Sequence, residues 1–260
     1  MGTEHIMNHY RKEEQPFVEK IMDSCERVLR NHQALLTDFI DPRQRVIIEN
    51  IVNSQMDLAM FFDGGYEQAE RGRVLIAPSY YVFDQEGMGL TFIQIQGQNK
   101  FFELAHQDVM GALLNIGLKR EKFGDILITE EKKQFIVASE VADYVSLELR
   151  QVGKTKIDLV SVTQEQLNPP KENYGDQKIT VSSLRLDAIL AAVFHQSRSK
   201  VAEWIKGKNV KVNWQIIDQV DYKLEVGDMV SLRKFGRFKY LEEEGNTKKG
   251  RILIKVGKLL

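Results

Sequence analysis

Ser197-Arg198-Ser199-Lys200 is a helix-capping serine followed at once by two cations. The first amide groups of a helix lack intrahelical partners and attract an anion. Arg198 and Lys200 in that first turn oppose the helix dipole, so they are poorly placed for stability alone. A bound phosphate relieves the conflict. Arg185 opens the neighbouring apolar stretch, with its side chain expected to be free to leave the core face, and Lys206, Lys208 and Lys211 follow close behind. Any one of these alone reads as a solvated surface cation. The cluster reads as an RNA contact, because affinity requires several phosphates to be neutralised. A second run, Arg233-Lys234-Phe235-Gly236-Arg237-Phe238-Lys239-Tyr240, interleaves cations with aromatics. Arg233, Lys234 and Arg237 can grip phosphates while the rings stack on bases. Equally, the run can be a strand with Phe235 or Phe238 in a core and its cations outside.

Catalytic arrangements are absent by comparison. His106 and Asp108 sit at a helix start and read as capping residues; an acid–base pair needs a positioned substrate. His5 and His9 are an i, i+4 pair with no third ligand evident, so no metal site is expected. The single cysteine, Cys25, can form neither an internal disulfide nor a thiolate zinc cluster. The chain contains no Walker A, G-x-G-x-x-G or G-x-S-x-G pattern. The expectation is a non-enzyme with no cofactor and no evident small-molecule substrate.

The 260 residues carry 43% hydrophobic and 28% charged side chains, the mix of a globular protein. No apolar run is long enough to cross a membrane. The charged N-terminal stretch lacks the apolar core of a signal peptide, so the cytoplasm is the expected location. The net charge of −1 hides an asymmetry. Residues 178–260 hold 17 Lys+Arg and 9 Asp+Glu, a net +8, which leaves −9 for the rest. That split points to a polyanion-binding module on an acidic body.

The elements that must position these residues follow from periodicity. Pro16 starts a helix carrying Phe17, Ile21, Cys25, Val28 and Leu29. Asp41-Pro42 starts a second, with Val46, Ile47, Ile51 and Val52 on its core stripe. Asp63-Gly64-Gly65 is a turn. Strands are expected at 73–77 and 90–95, and a helix at 106–116 in which Gly111 suggests close packing or a ligand. Arg120 and Lys122 beyond its end can serve as dipole partners. A hairpin of 125–128 with 134–138 follows, then a helix capped by Ser139 and a strand at 156–162. Strands, helix, two strands, helix, strand is the ferredoxin-like order, shared by RRM domains, with an extra strand. The polar stretch 164–178, with Pro169-Pro170, reads as a linker. Beyond it, Ser183 and Ser197 cap two short helices, and a small antiparallel sheet follows. The expected α+β division is a mainly helical region at 1–72, a ferredoxin-like domain at 73–163, the linker, and an RNA-binding module at 179–260.

Arg185-Leu186-Asp187, Ser197-Arg198-Ser199-Lys200, the stretch from Ile205 to Asn213, and Val226-Gly227-Asp228 together resemble the S4 RNA-binding domain over Ser183 to Tyr240. Trp214 stands where that family often has glycine, which affects only the local turn. Lys234-Phe235-Gly236 also looks like part of a tyrosyl-tRNA synthetase loop, but it follows the module and no HIGH-type motif accompanies it, so it is a coincidence. Gly64-Gly65-Tyr66, Ala69-Glu70-Arg71, the run from Ala105 to Leu114, Gly117, Arg120-Glu121 and Gly124-Asp125-Ile126 resemble the YlmH family of bacterial proteins. With the C-terminal module included, that resemblance spans nearly the whole chain. It implies an RRM-like middle domain and a C-terminal S4 domain. The family is encoded near cell-division genes in Gram-positive bacteria. The implied role is at the large ribosomal subunit, on stalled peptidyl-tRNA in ribosome-associated quality control. The expected partners are therefore structured RNA, rRNA and tRNA, and the large subunit. Two rivals are an RNA-modifying enzyme of the pseudouridine-synthase kind, which often carries its S4 domain at the other end, and a cell-division scaffold that binds protein through the acidic body.

Overall fold

The computed structural model describes residues 7, 10–97, 103–170, 174–247 and 250–259; His5, His9 and residues 171–173 of the expected linker lie outside them. The chain forms two compact units, Met1–Pro170 and Lys171–Leu260.

In the first unit, helix α1 (Gln15–Asn31) starts with Pro16 in its first turn and buries Val18, Ile21, Cys25 and Val28. Helix α2 (Pro42–Asn53) begins with a reciprocal cap: Asp41 Oδ1 accepts from the Gln44 amide at 2.9 Å, and Gln44 Oε1 from the Asp41 amide at 3.0 Å. It buries Ile47, Ile48, Ile51 and Val52. Val46, placed on that stripe by sequence, is 41% exposed, because the buried face is centred one residue further round the helix. These helices pack on a three-stranded antiparallel sheet of β1 (Leu35–Leu36), β2 (Leu58–Asp63) and β3 (Arg73–Pro78), in the order β1-β3-β2. The N-terminal region is therefore not helical alone. β3, expected to open the middle domain, pairs with β2 (Phe61 opposite Leu75) and with β1 (Leu35 opposite Ile76).

The middle portion is β4 (Leu90–Gly97), α3 (His106–Asn115), β5 (Phe123–Ile128), β6 (Lys133–Ala138), α4 (Ser139–Glu148), β7 (Gln151–Val152) and β8 (Thr155–Val162). Its antiparallel sheet runs β5-β6-β4-β8-β7. Without the two-residue β7, this is the ferredoxin-like order, with the first and third strands at the centre. α3 and α4 cover one face, burying Val109, Leu113 and Val145 against Ile93, Phe135 and Val137. Ser139 does not cap α4; its hydroxyl shares a 2.8 Å hydrogen bond with that of Thr91. A Cβ on Gly111 would meet nothing within 4 Å, so close packing within the protein does not explain that glycine.

Buried Arg73 joins the two sheets of this unit. It donates to the Thr37 carbonyl at 2.8 Å, the Gly89 carbonyl at 3.0 Å and both carboxylate oxygens of Glu140. Lys122 adds Asp38 at 2.6 Å and Glu140 at 3.2 Å, so it is an ion-pair residue rather than a dipole partner.

The second unit starts earlier than the S4-like module expected from sequence. β9 (Tyr174–Val181) emerges from the stretch read as a linker and pairs along its whole length with β14 (Ile252–Leu259). Helices α5 (Leu186–Val193) and α6 (Arg198–Lys206) follow, then β10 (Val210–Val212), β11 (Gln215–Ile216), β12 (Met229–Leu232) and β13 (Gly236–Asn246). The six-stranded sheet runs β11-β10-β12-β13-β14-β9. One core holds Leu186, Ile189, Leu190, Val201 and Ile205 of the helices against Val212, Val230, Phe238 and Val256 of the sheet.

Candidate nucleic-acid interface

The N-cap of α5 is Arg185, not Ser183. An extended backbone and an isolated antiparallel bridge to Lys223 fix it, and the Leu186 amide donates to the Tyr222 carbonyl at 2.7 Å. Ser197 caps α6 as its residue type predicts, its hydroxyl accepting from the Lys200 amide at 3.3 Å.

Between the two helix starts lies Asp187, only 4% exposed. Its carboxylate accepts from Arg185 Nε at 3.1 Å and from Arg198 Nη2 at 2.5 Å and Nε at 3.2 Å. Burial pushes the Asp187 carboxyl up, but the hydrogen bonds from Arg198 and Arg185 outweigh it and hold the group below the ordinary aspartate range. The protein thus supplies its own anion against the cations that oppose the α6 dipole. Arg185 is accordingly not free, as sequence suggested, but tethered. Both arginine side chains stay half-exposed, at 41% and 52%. Two arginines on one carboxylate leave net positive charge, and Lys200 in the same turn adds to it.

A second cluster adjoins Lys200. Its Nζ lies 5.3 Å from the Trp204 ring centre, one helical turn on. Trp204 meets Phe235 at 4.6 Å between centroids, and Phe235 meets Phe194 at 5.8 Å. Lys258 Nζ lies 5.7 Å from the Phe194 ring centre. Phe235 is 39% exposed, whereas Phe238 is fully buried. Phe238 thus takes the core place that one reading of the run allows, while Phe235 stays partly open to solvent. Exposed Arg233 and Lys234 stand in the β12–β13 turn beside Phe235, with Lys234 at a left-handed φ of 72°.

The remaining cations are elsewhere on the unit. Lys211 and Arg237 both stand opposite Ser231. Side chains alternate across a sheet, and Val210, Val212, Val230 and Phe238 face the helices, so Lys211 and Arg237 line the outer face. Lys206 and Lys208 are exposed at the end of α6. The β10–β11 hairpin turns through Asn213 and Trp214, with φ of 47° and 64°. Two such residues make the favoured two-residue turn, and glycine would be unstrained where Trp214 stands. The sequence places Trp204 only among the apolar residues of α6, and nothing in it singles out Phe194 or Lys258. Only the i, i+4 spacing of Lys200 and Trp204 could have flagged one of these three.

In the first unit, Asp108 Oδ2 accepts from the Ala105 amide at 2.9 Å, the capping role expected of it. Among the described residues, no group of three metal-ligating side chains converges, and no helix is long and apolar enough to cross a membrane.

Comparison with known proteins covers most of the chain. Residues 13–81 match a family model described as "YlmH, N-terminal", residues 84–166 one described as "Putative RNA-binding domain in YlmH", and residues 184–230 the S4 domain. The first two meet after β3, as the sheet pairing requires. A Bacillus subtilis (strain 168) protein named "Ribosome-associated protein quality control protein P2" is 39% identical over 244 residues, 94% of this chain and 95% of its own length. A solved structure, "Cell division protein ylmH from Streptococcus pneumoniae", is 26% identical with a TM-score of 0.54, covering 62% of this chain and 98% of that one.

Proposed function

Because the chain belongs to the YlmH family and carries its RNA-binding and S4 domains, we propose that it binds structured RNA, rRNA and tRNA, on the large ribosomal subunit. The name of its Bacillus relative supports a role in ribosome-associated quality control. The binding is non-catalytic and cytoplasmic. The single observation that carries this reading is the pair of helix starts at Arg185 and Arg198, locked together by buried Asp187 with both arginine side chains still half-exposed. Pre-positioned arginine forks match phosphate geometry and lose little side-chain freedom on binding. Lys200 extends the phosphate-binding strip, and Phe235 on Trp204 offers a stacking platform beside it. Lys206, Lys208, Arg233 and Lys234 flank it, while Lys211 and Arg237 offer a weaker second contact on the outer sheet face.

Crosslinking the protein to RNA in cells, then sequencing the attached fragments, tests the reading. Fragments concentrated in large-subunit rRNA and tRNA are expected. Fragments spread evenly over messenger RNA would contradict it. Mass spectrometry of RNA incubated with the protein should show no new pseudouridine or methyl group.

A further inference from the structure

The first unit holds a cavity of about 360 Å³ between α1, β1, the segment 37–41 and the residues just before β5. Arg71 and Arg120 both line it. Arg71 Nη2 donates to the Phe39 carbonyl at 3.0 Å, but its buried Nε has no partner among the described residues. Arg120 Nη1 donates to the carbonyls of Phe123 at 2.6 Å and Gly124 at 3.2 Å, and the guanidinium lies over the Phe123 ring at 4.4 Å. Neither arginine makes an ion pair within 4 Å among the described residues. Burial, and then the charge of Arg71, bring Arg120 down to about 10. Two partly desolvated guanidinium groups that repel each other make a site for an anion.

The charges of Asp125, Glu70 and Asp41 offset part of that repulsion at both arginines. Asp38 pairs with Lys122 at 2.6 Å, and Asp41 caps α2. Asp125 accepts from the Tyr66 hydroxyl at 2.9 Å and from the Glu70 and Arg71 amides at 2.7 and 3.2 Å. Glu121 and Lys20 are exposed at the cavity rim, which opens it to solvent. The inner wall is apolar, with Ile21, Leu36 and Phe39. The volume is at the lower end of ligand pockets, about 300–1,000 Å³.

We propose that this cavity is a phosphate-ester site for a ligand of mononucleotide size, with Arg71 and Arg120 on its phosphate and the apolar wall against its body. The phosphate can belong to a free nucleoside monophosphate or to the 5′ end of an RNA strand; the recognition chemistry is the same.

Calorimetric titration of the full chain at fixed ionic strength tests it, using AMP and tetranucleotides with a 5′-phosphate or a 5′-hydroxyl. AMP is expected to bind and to slow alkylation of Cys25, which is buried in α1 beside the cavity-lining Ser24. Arg120→Gln removes a charge-assisted hydrogen bond and should weaken AMP by about tenfold or more. Lys20→Glu changes only the exposed rim, so it should weaken AMP without unfolding the unit. A 5′-phosphate preference that Lys20→Glu abolishes assigns the site to RNA ends. AMP binding without such a preference assigns it to free nucleotides. No AMP binding and no 5′-phosphate preference, or binding that Lys20→Glu leaves unchanged, overturns the site.

Discussion

The Arg198 guanidinium donates twice to one carboxylate oxygen of Asp187, at 2.5 and 3.2 Å, and so ties the start of α6 to the first turn of α5. Asp187 is buried and both of its arginine partners are half-exposed, so the three are one structural unit at the two helix starts. An exposed arginine-to-alanine change would ordinarily cost within about 0.5 kcal/mol. Here the Arg185→Ala, Arg198→Ala double variant leaves a buried carboxylate without its cations. It should lose about 1–3 kcal/mol, toward the low end because solvent reaches the arginines. Both tryptophans of the chain, Trp204 and Trp214, lie in the second unit, so urea unfolding followed by tryptophan fluorescence reads this loss directly. Adding Asp187→Asn to the double variant should recover part of it. No loss in the double variant would mean that Asp187 is not held by these arginines.

The same carboxylate predicts a pH dependence. Its folded-state pKa is depressed, so its contribution is complete above the unfolded value of about 3.9 and disappears as pH falls through the folded one. Stability of the second unit should therefore fall below about pH 4 more steeply in the wild type than in Asp187→Asn. Tryptophan-detected melts across that range make the comparison; parallel curves would contradict it.

Two phenylalanines three residues apart should behave oppositely. Phe238 is fully buried, and truncating it to alanine should cost about 3–5 kcal/mol. Phe235 is partly exposed on Trp204, and Phe235→Ala should leave the unit folded while weakening RNA by about 1–3 kcal/mol, one stacked base. Denaturation and fluorescence-anisotropy titrations of both variants separate the two effects. Undiminished RNA affinity in Phe235→Ala would remove the ring from the interface.

Local signals are legible in the sequence. The Asp41 cap, the Ser197 cap and the ferredoxin-like order from β4 to β8 all follow from cap chemistry and periodicity. What escaped was set by distant partners. β3 reads as the first strand of the middle domain until its pairing with β2 and β1 is known. β9 is polar, and only its partnership with β14 makes it a strand. At the candidate interface, the cation cluster was legible as a cluster. Its division between the helix starts and the outer sheet face was not, because strand register decides which face a residue takes. Asp187 stood in the Arg185-Leu186-Asp187 motif, yet nothing local showed that it would be buried between two arginines.

Cys25 is fully buried, and burial pushes its thiol up to about 11. A free thiol near 8.5 is partly ionised at about pH 8, whereas this one is not. Iodoacetamide should therefore label the native chain far more slowly than the chain in urea, and the rate should follow opening of the first unit. Rapid labelling of the native protein, measured by intact mass, would contradict the packing of α1.

On the proposed function, the second unit's helix starts and aromatic strip carry the RNA contacts. The measurement is the salt dependence of affinity for isolated large ribosomal subunits, wild type against Lys200→Ala, Lys206→Ala, Lys234→Ala. All three lysines are exposed, so the variant should keep the wild-type melting curve. Each lost phosphate contact should flatten the plot of log affinity against log salt by about 1, or roughly 3 for the triple variant. A wild-type slope and affinity in a variant that folds normally would contradict the account.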